Sequence, residues 1–159
     1  MIPLPAEPAP SLISDDAGAI LMGWLDERVL YARFEGVVSV RLARAHAARF
    51  EVLTAGSSAI AYFSDGSALT HYDLLVRSSF ARFVLAHPRL FRSITLLSTK
   101  KEVTKVASPL TKTFSDVVRL TSNTDDFRDR ILVDAPVALS TPTFEVDAAM
   151  RRGTWARRR

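Results

Sequence analysis

Residues 59–66 read AIAYFSDG, and this stretch decides the fold. Five apolar residues followed by a Ser-Asp-Gly group predict a short buried strand that ends in a turn. The flanking segments 39–55 and 72–87 carry apolar side chains three or four positions apart, which is the spacing of an amphipathic helix. Gly56 is expected to close the first helix, and Pro88 to stop the second. A strand between two helices indicates a crossover connection within a parallel sheet.

Two further strands are predicted before the first helix. Apolar segments on either side of the polar group at 26–28 indicate a pair of strands joined by a short turn. Alternation in the second strand places Leu30, Ala32 and Phe34 on one face, and Gly36 is expected to end it.

Two strand–helix units are predicted after Pro88. Their strands lie at 93–97 and 117–120. A helix is expected to start at a capping box formed by Thr99 and Glu102, and another at the polar residues 123–126. The complete order predicts an α/β fold with a single mixed, mostly parallel sheet and crossover helices.

Length and composition indicate one globular domain. The 159 residues are 48% hydrophobic, and the absence of cysteine excludes disulfides and Cys-ligated zinc. We predict a flexible Pro-rich arm at 1–18, the folded domain at 19–135 and a flexible basic tail at 136–159. The longest apolar run has nine residues, against roughly 20 for a membrane span. We therefore expect a cytoplasmic protein without a transmembrane segment.

The positive charge is concentrated at the C-terminus. The formal net charge is +4, and the last nine positions contain five arginines and no acidic residue. A mobile basic tail can neutralise acidic lipid headgroups or phosphates, whereas the nearly neutral body gives no reason to expect a nucleic-acid partner for the domain. The predicted anion-binding residues are Arg151, Arg152, Arg157, Arg158 and Arg159.

The element order over 19–135 resembles that of STAS domains, the fold of bacterial anti-sigma-factor antagonists. A closer resemblance is to their bacterial relatives grouped with the CRAL-TRIO lipid-exchange fold. It is carried by the strand at 59–63, the turn at Asp65 and the segments 72–75 and 93–131, together with Phe80, Phe83, His87 and Phe91. The resemblance implies a regulatory or ligand-binding module.

One position departs from the phosphorylated antagonists. Those proteins carry Asp-Ser at the start of the second crossover helix, where a kinase phosphorylates the serine. Aligning Asp73 with that aspartate puts Leu74 in the serine position, and leucine cannot accept a phosphoryl group. Ser67 is the nearest hydroxyl in the same connection, either as a substitute acceptor or as an ordinary turn or cap residue.

The polar residues give no pattern typical of an enzyme. Ser67, His71 and Asp73 supply the residue types of a hydrolytic triad, but they lie within seven positions and no nucleophile-elbow motif frames the serine. His46, His71 and His87 each stand without the second ligand of a helical zinc motif. We therefore predict no catalytic residue, no cofactor and no metal.

Two functions remain open from the sequence. The first is protein recognition by a regulatory module, in which Asp65, Ser67, His71 and Asp73 contact a regulator or a kinase-like partner. The second is binding of a small apolar ligand or lipid of the CRAL-TRIO type, with the basic tail touching a membrane or nucleic acid. Its pocket would be walled by aromatic side chains that otherwise form ordinary core: Tyr62, Phe63, Phe80, Phe83 and Phe91.

Overall fold

A computed structural model describes residues 11–135 of the chain. This part contains six strands and four helices in an alternating order. In chain order they are β1 (Ser11–Ser14), β2 (Gly18–Asp26), β3 (Val29–Val38), α1 (Val40–Thr54), β4 (Ile60–Tyr72), α2 (Leu74–Ala86), β5 (Phe91–Leu97), α3 (Lys101–Thr113), β6 (Val118–Thr121) and α4 (Thr124–Asp134).

The strands form one sheet in the order β1-β2-β3-β4-β5-β6. The pairs β1–β2 and β2–β3 are antiparallel, while β3–β4, β4–β5 and β5–β6 are parallel. Each parallel pair is joined through a helix, as a parallel connection requires. The predicted α/β fold with a mixed, mostly parallel sheet is confirmed.

The helices divide between the two faces of the sheet. Leu30 and Ala32 of β3 pack into the core on the side of α1, α2 and α3, as the alternation predicted. Tyr31 points to the opposite face, where the described core is completed by Phe127 and Ile131 of α4. The crossover helices therefore lie on one side of the sheet and α4 on the other.

The sheet begins earlier in the chain than the sequence predicted. Ser11–Ser14 lies within the segment predicted as a flexible arm, yet it pairs antiparallel with β2 as an edge strand. The Arg49 guanidinium of α1 also donates a 2.7 Å hydrogen bond to the Ser11 hydroxyl. The first part of that arm, residues 1–10, and the whole predicted tail, residues 136–159, lie outside the described residues.

The predicted turn at Ser64-Asp65-Gly66 is wrong, because β4 continues through it to Tyr72. Pairing with β3 supports the continuation: Asp65 lies opposite Arg33, and His71 opposite Val37. A side chain at Gly66 would place its Cβ 2.7 Å from the Leu97 carbonyl oxygen. The glycine is therefore needed for the close approach of β4 to β5 and does not mark a turn.

Gly36 likewise does not end its strand. It has a φ of +71°, a conformation that glycine adopts freely. β3 passes through an irregularity there and continues to Val38. The β3–β4 pair consequently runs past the end of β5 and brings Tyr72 to the start of α2.

The helix starts are set by side-chain caps at three of the four described helices. Ser39, Asp73 and Asn123 each accept hydrogen bonds from backbone N–H groups in the first turns of α1, α2 and α4. The predicted Thr99 capping box is wrong, because α3 follows Lys100 without a side-chain cap. The Thr99 hydroxyl instead donates to the Ser67 carbonyl oxygen at 3.4 Å.

None of the helices within residues 11–135 has the length and apolar character needed to cross a membrane.

Candidate functional site

Asp65 is a buried structural residue and does not reach the protein surface. The Tyr31 hydroxyl donates a 2.8 Å hydrogen bond to its carboxylate, and the backbone N–H of Ser67 donates another at 2.9 Å. A guanidinium nitrogen of Arg33 lies 3.6 Å away. The prediction that Asp65 is presented to a partner is therefore wrong, since its carboxylate is enclosed by the protein itself.

The group around Asp65 keeps its charges compensated in the interior. Arg33 is buried and also pairs with Glu35, with 3.1 Å between the Nε and carboxylate oxygen atoms. Burial raises the pKa of the Tyr31 hydroxyl well above its ordinary value, and the Asp65 carboxylate raises it further. Tyr31 consequently stays protonated and serves as a hydrogen-bond donor.

The other three predicted partner-contacting residues are spread along β4 and the start of α2. Ser67 is half-buried within β4, whereas His71 near the strand end and Asp73 at the cap of α2 are exposed. The Asp73 carboxylate accepts a 2.8 Å hydrogen bond from the backbone N–H of Leu75. The hydrogen bonds described for residues 11–135 include none that links Ser67, His71 and Asp73 as a triad would require.

An apolar cavity lies between the sheet and helices α1, α2 and α3. Its volume is about 150 Å³. The wall is formed mainly by aromatic and aliphatic side chains, among them Phe50 of α1, Tyr62 of β4, and Phe80 and Phe83 of α2. The lining is therefore predominantly hydrophobic and aromatic, with a small number of polar groups.

Edge-to-face contacts around Phe50 organise the aromatic wall. The ring centroid of Phe50 lies 5.1 Å from that of Tyr62 and 5.2 Å from that of Phe83, with interplanar angles of 89° and 81°. Phe91 packs against Phe50 from the core, with 5.8 Å between centroids. Phe63 faces the opposite side of the sheet, where it contacts Phe127. Only part of the predicted aromatic set therefore lines the cavity.

His46 and Tyr62 place two polar atoms on the cavity wall. The Nε2 atom of His46 lies 3.5 Å from the Tyr62 hydroxyl. The imidazole packs edge-on against Phe34 and Phe50, with centroid distances of 5.3 and 5.9 Å. Burial lowers the pKa of His46 to about 4 and raises the pKa of Tyr62, so both side chains are neutral at neutral pH.

Sequence reasoning treated His46 as an isolated histidine. It lies three positions after Ala43 and four before Phe50, on the apolar face of the predicted helix. That spacing was the available signal for its position. Its pairing with Tyr62 was not predictable, because Tyr62 lies on a different element and the sequence does not fix how α1 is rotated against the sheet.

Arg77 and Tyr72 also contribute polar groups to the wall, as do three serines: Ser64, Ser79 and Ser98. The Arg77 guanidinium donates a 3.2 Å hydrogen bond to the Val106 carbonyl oxygen, which links α2 to α3. Burial raises the pKa of Tyr72 to about 12, although the nearby Arg77 charge opposes the shift. Arg77 thus brings a positive charge to the cavity wall, and one of its N–H groups is already bonded to the backbone.

His71 and His87 do not form part of a metal cluster. His87 caps the C-terminal end of α2, stacks on Phe83 at 4.3 Å between ring centroids, and places Nδ1 2.9 Å from the Phe83 carbonyl oxygen. Over residues 11–135, no three His, Cys, Asp or Glu side chains are grouped so as to hold a metal ion.

Leu74, the residue in the phospho-acceptor position of the resemblance, is the first residue of α2 and is exposed.

Comparison with known proteins identifies the fold. An uncharacterised DUF3478-family protein with a SpoIIAA-like fold, from Shewanella loihica PV-4, superposes with a TM-score of 0.55 at 14% identity, covering 74% of this chain and 98% of that one. The anti-sigma factor antagonist SpoIIAA in its unphosphorylated form gives a TM-score of 0.42 at 13% identity, covering 77% and 97%. No family model and no curated protein matches the chain. The predicted STAS-like fold is confirmed by the first superposition.

Proposed function

We propose that this chain is a non-catalytic binding module of the cytoplasm that holds a small apolar ligand between its sheet and helices α1, α2 and α3. The observation that carries the proposal is the cavity of about 150 Å³ with its aromatic wall. This is the second of the two functions that the sequence left open. The cytoplasmic location rests on the sequence alone.

The free-energy cost of an empty cavity in a small domain supports the binding of a ligand. An empty apolar cavity costs about 24 cal/mol per Å³ in lost packing, or roughly 3 to 4 kcal/mol at this volume. That amount is a large fraction of the roughly 5–15 kcal/mol that stabilises a typical domain. A ligand that fills the cavity restores those contacts and stabilises the folded state by mass action.

The test is a titration of the full chain with toluene, followed by the melting temperature and by native mass spectrometry. We expect a saturable rise in melting temperature and a complex of one toluene per chain. Ala47→Leu narrows the cavity from α1 and should abolish the rise. Ala45→Leu adds the same atoms to an exposed position of the same helix and should leave the rise in melting temperature unchanged. No rise with the unaltered chain would overturn the proposal.

Protein recognition remains a second candidate because of two exposed leucines. Leu74 and Leu75 at the start of α2 are 57% and 58% exposed, beside the exposed His71 and Asp73. Adjacent exposed apolar side chains with a polar rim are typical of interaction sites. The partner would be a regulator or a kinase-like protein, contacted by this surface without Asp65.

Affinity capture with matched variants tests this second candidate. A specific partner should be retained by the unaltered chain and lost from the Leu74→Ser, Leu75→Ser double variant. Leu85→Ser is the control, since Leu85 is 66% exposed on the same helix but at its other end. Equal retention by all three proteins would rule out this surface.

The basic tail belongs to the proposal as a prediction from sequence. Arginines at 151–159 are expected to bind acidic lipid headgroups or phosphates. Co-sedimentation with anionic and neutral vesicles, for the full chain and for a chain ending at residue 150, measures this contribution. Equal sedimentation of the two proteins with anionic vesicles would contradict it.

A further inference from the structure

We propose that the cavity selects a single-ring aromatic molecule with one neutral hydroxyl group, a phenol, whose hydroxyl bridges His46 and Tyr62. The inference rests on the proposed function and adds the chemical class of the ligand. It follows from the size of the cavity, the arrangement of its rings and the geometry of its polar pair.

The size of the cavity sets the size of the ligand. A cavity of about 150 Å³ lined by apolar side chains is known to hold benzene. The cavity here has the same volume, so one six-membered ring with a small substituent fills it. A long acyl chain does not fit within such a volume.

The wall favours a flat aromatic ring. Phe50 meets Tyr62, Phe83 and His46 at interplanar angles of 89°, 81° and 60°. Aromatic rings attract one another in this edge-to-face arrangement beyond the contribution of buried area. A planar ligand ring can extend the same pattern, whereas a branched aliphatic ligand cannot.

The polar pair of His46 and Tyr62 defines the substituent on the ligand ring. The 3.5 Å separation between His46 Nε2 and the Tyr62 hydroxyl oxygen is long, because hydroxyl donors normally approach their acceptors to about 2.7–2.8 Å. The two groups therefore engage each other weakly. The Tyr62 hydroxyl also interacts with the Ser64 side chain. A ligand hydroxyl can donate to Nε2 and accept from Tyr62, which replaces the long contact between the two groups with short hydrogen bonds.

Charge around the cavity favours a neutral ligand. His46 and Tyr62 are both uncharged, and the Arg77 guanidinium already donates to the Val106 carbonyl oxygen. An ionised carboxylate placed against the uncharged His46–Tyr62 pair would lose its hydration in an apolar part of the cavity without gaining an opposite charge from either group, which is strongly unfavourable. Phenol meets all four requirements of size, aromatic ring, hydroxyl group and neutral charge, while benzoate fails the last and toluene lacks the hydroxyl.

The experiment compares phenol, toluene and benzoate by calorimetry on the full chain. For the unaltered protein we expect phenol and toluene to bind and benzoate not to bind. Phenol should also shift the ¹⁵N resonance of His46 Nε2, whereas toluene should leave it in place. This spectroscopic measurement needs no substitution, so it stands even if a variant fails to fold.

Two tyrosine variants provide the second readout. Tyr62→Phe should raise the ratio of the phenol to the toluene dissociation constant by about 3- to 10-fold, which corresponds to one lost hydrogen bond. Tyr72→Phe removes a hydroxyl from another part of the same wall and should leave the ratio unchanged.

The possible failures are distinguishable. If neither toluene nor phenol binds, the proposed function is wrong, and the proposed ligand class is wrong as well. If toluene binds but phenol leaves the Nε2 resonance unshifted, or if Tyr62→Phe leaves the ratio unchanged, only the ligand class is wrong. Benzoate binding as tightly as phenol would likewise overturn the neutral class while supporting the cavity itself.

Discussion

The Tyr31 hydroxyl and the Asp65 carboxylate are joined by a 2.8 Å hydrogen bond in the protein interior, although 34 positions separate them in the chain. The bond connects neighbouring strands β3 and β4 on the face of the sheet that α4 covers. It accounts for a buried acidic residue in a strand that is otherwise largely apolar.

Replacing Asp65 should destabilise the protein far more than replacing Asp73. Asp65→Ala leaves the buried Arg33 without one of its compensating charges, and breaking a buried pair costs about 3–5 kcal/mol. Asp73→Ala removes a helix cap from an exposed position and should cost about 1 kcal/mol. Urea unfolding monitored by circular dichroism measures both. Equal losses would contradict the assignment of Asp65 as a structural residue.

These two aspartates show how far the sequence was informative. The apolar spacing was sufficient to predict the helices and most of the strands, because each pattern is local and repeats with the period of its element. The polar group that begins with Asn123 was also a local signal, and it predicted the start of α4, whereas the caps Ser39 and Asp73 were not predicted. The role of Asp65 was not predictable, because its partner Tyr31 comes from another strand and a Ser-Asp-Gly group ordinarily indicates a turn.

The candidate site was predictable only in outline. Phe80 and Phe83 were predicted as pocket walls or core, and the structure places both on the cavity. The role of His46 was missed because its spacing places it on the apolar face of α1 but does not reveal its partner Tyr62 on β4. The edge strand at Ser11–Ser14 was missed because it has only four residues, and its two apolar side chains, Leu12 and Ile13, are too few to show a strand period.

The free energy of unfolding should depend on pH through His46. Burial lowers the pKa of this imidazole from 6.5 to about 4, so below pH 6.5 the unfolded chain binds a proton that the folded protein does not. Stability should therefore fall as the pH falls from about 6.5 to about 4, by roughly 3 kcal/mol in total. His46→Leu should remove this part of the dependence of the free energy of unfolding on pH, and His71→Gln at an exposed position should retain it. Urea unfolding at half-unit pH intervals provides the comparison, and an unchanged slope in His46→Leu would count against the buried neutral histidine.

Alanine substitutions at two glycines should distinguish the cost of backbone strain from the cost of steric overlap. Gly36 and Gly56 have φ angles of +71° and +76°, so alanine at either position costs roughly 1–2 kcal/mol. A Cβ at Gly36 would also lie 2.4 Å from the Ala17 carbonyl oxygen, whereas one at Gly56 meets nothing within 4 Å. Gly36→Ala should therefore lower the free energy of unfolding by about 3 kcal/mol or more, and Gly56→Ala by about 1. Denaturant midpoints of the two variants test this, and similar midpoints would show that the β2–β3 packing around Gly18 and Gly36 is looser than described.

Truncating Phe50 should lower the stability of the protein and enlarge the cavity. Phe50→Ala should cost about 3–5 kcal/mol, as is usual for a buried phenylalanine. Val52→Ala, at an exposed position of the same helix, should change stability by less than about 0.5 kcal/mol. The enlarged cavity of Phe50→Ala should accept a two-ring molecule such as indole, which the unaltered protein should exclude. Calorimetric titration with indole measures this, and equal binding by both proteins would mean that Phe50 does not limit the cavity.

The rings of α1, β4, α2 and β5 meet at Phe50. Under the proposed function, the side chain at this one position sets the size of the ligand, and a smaller residue there admits a bulkier molecule while the strand pairing stays the same. The same replacement lowers the stability of the fold, which substitutions elsewhere in the core can restore.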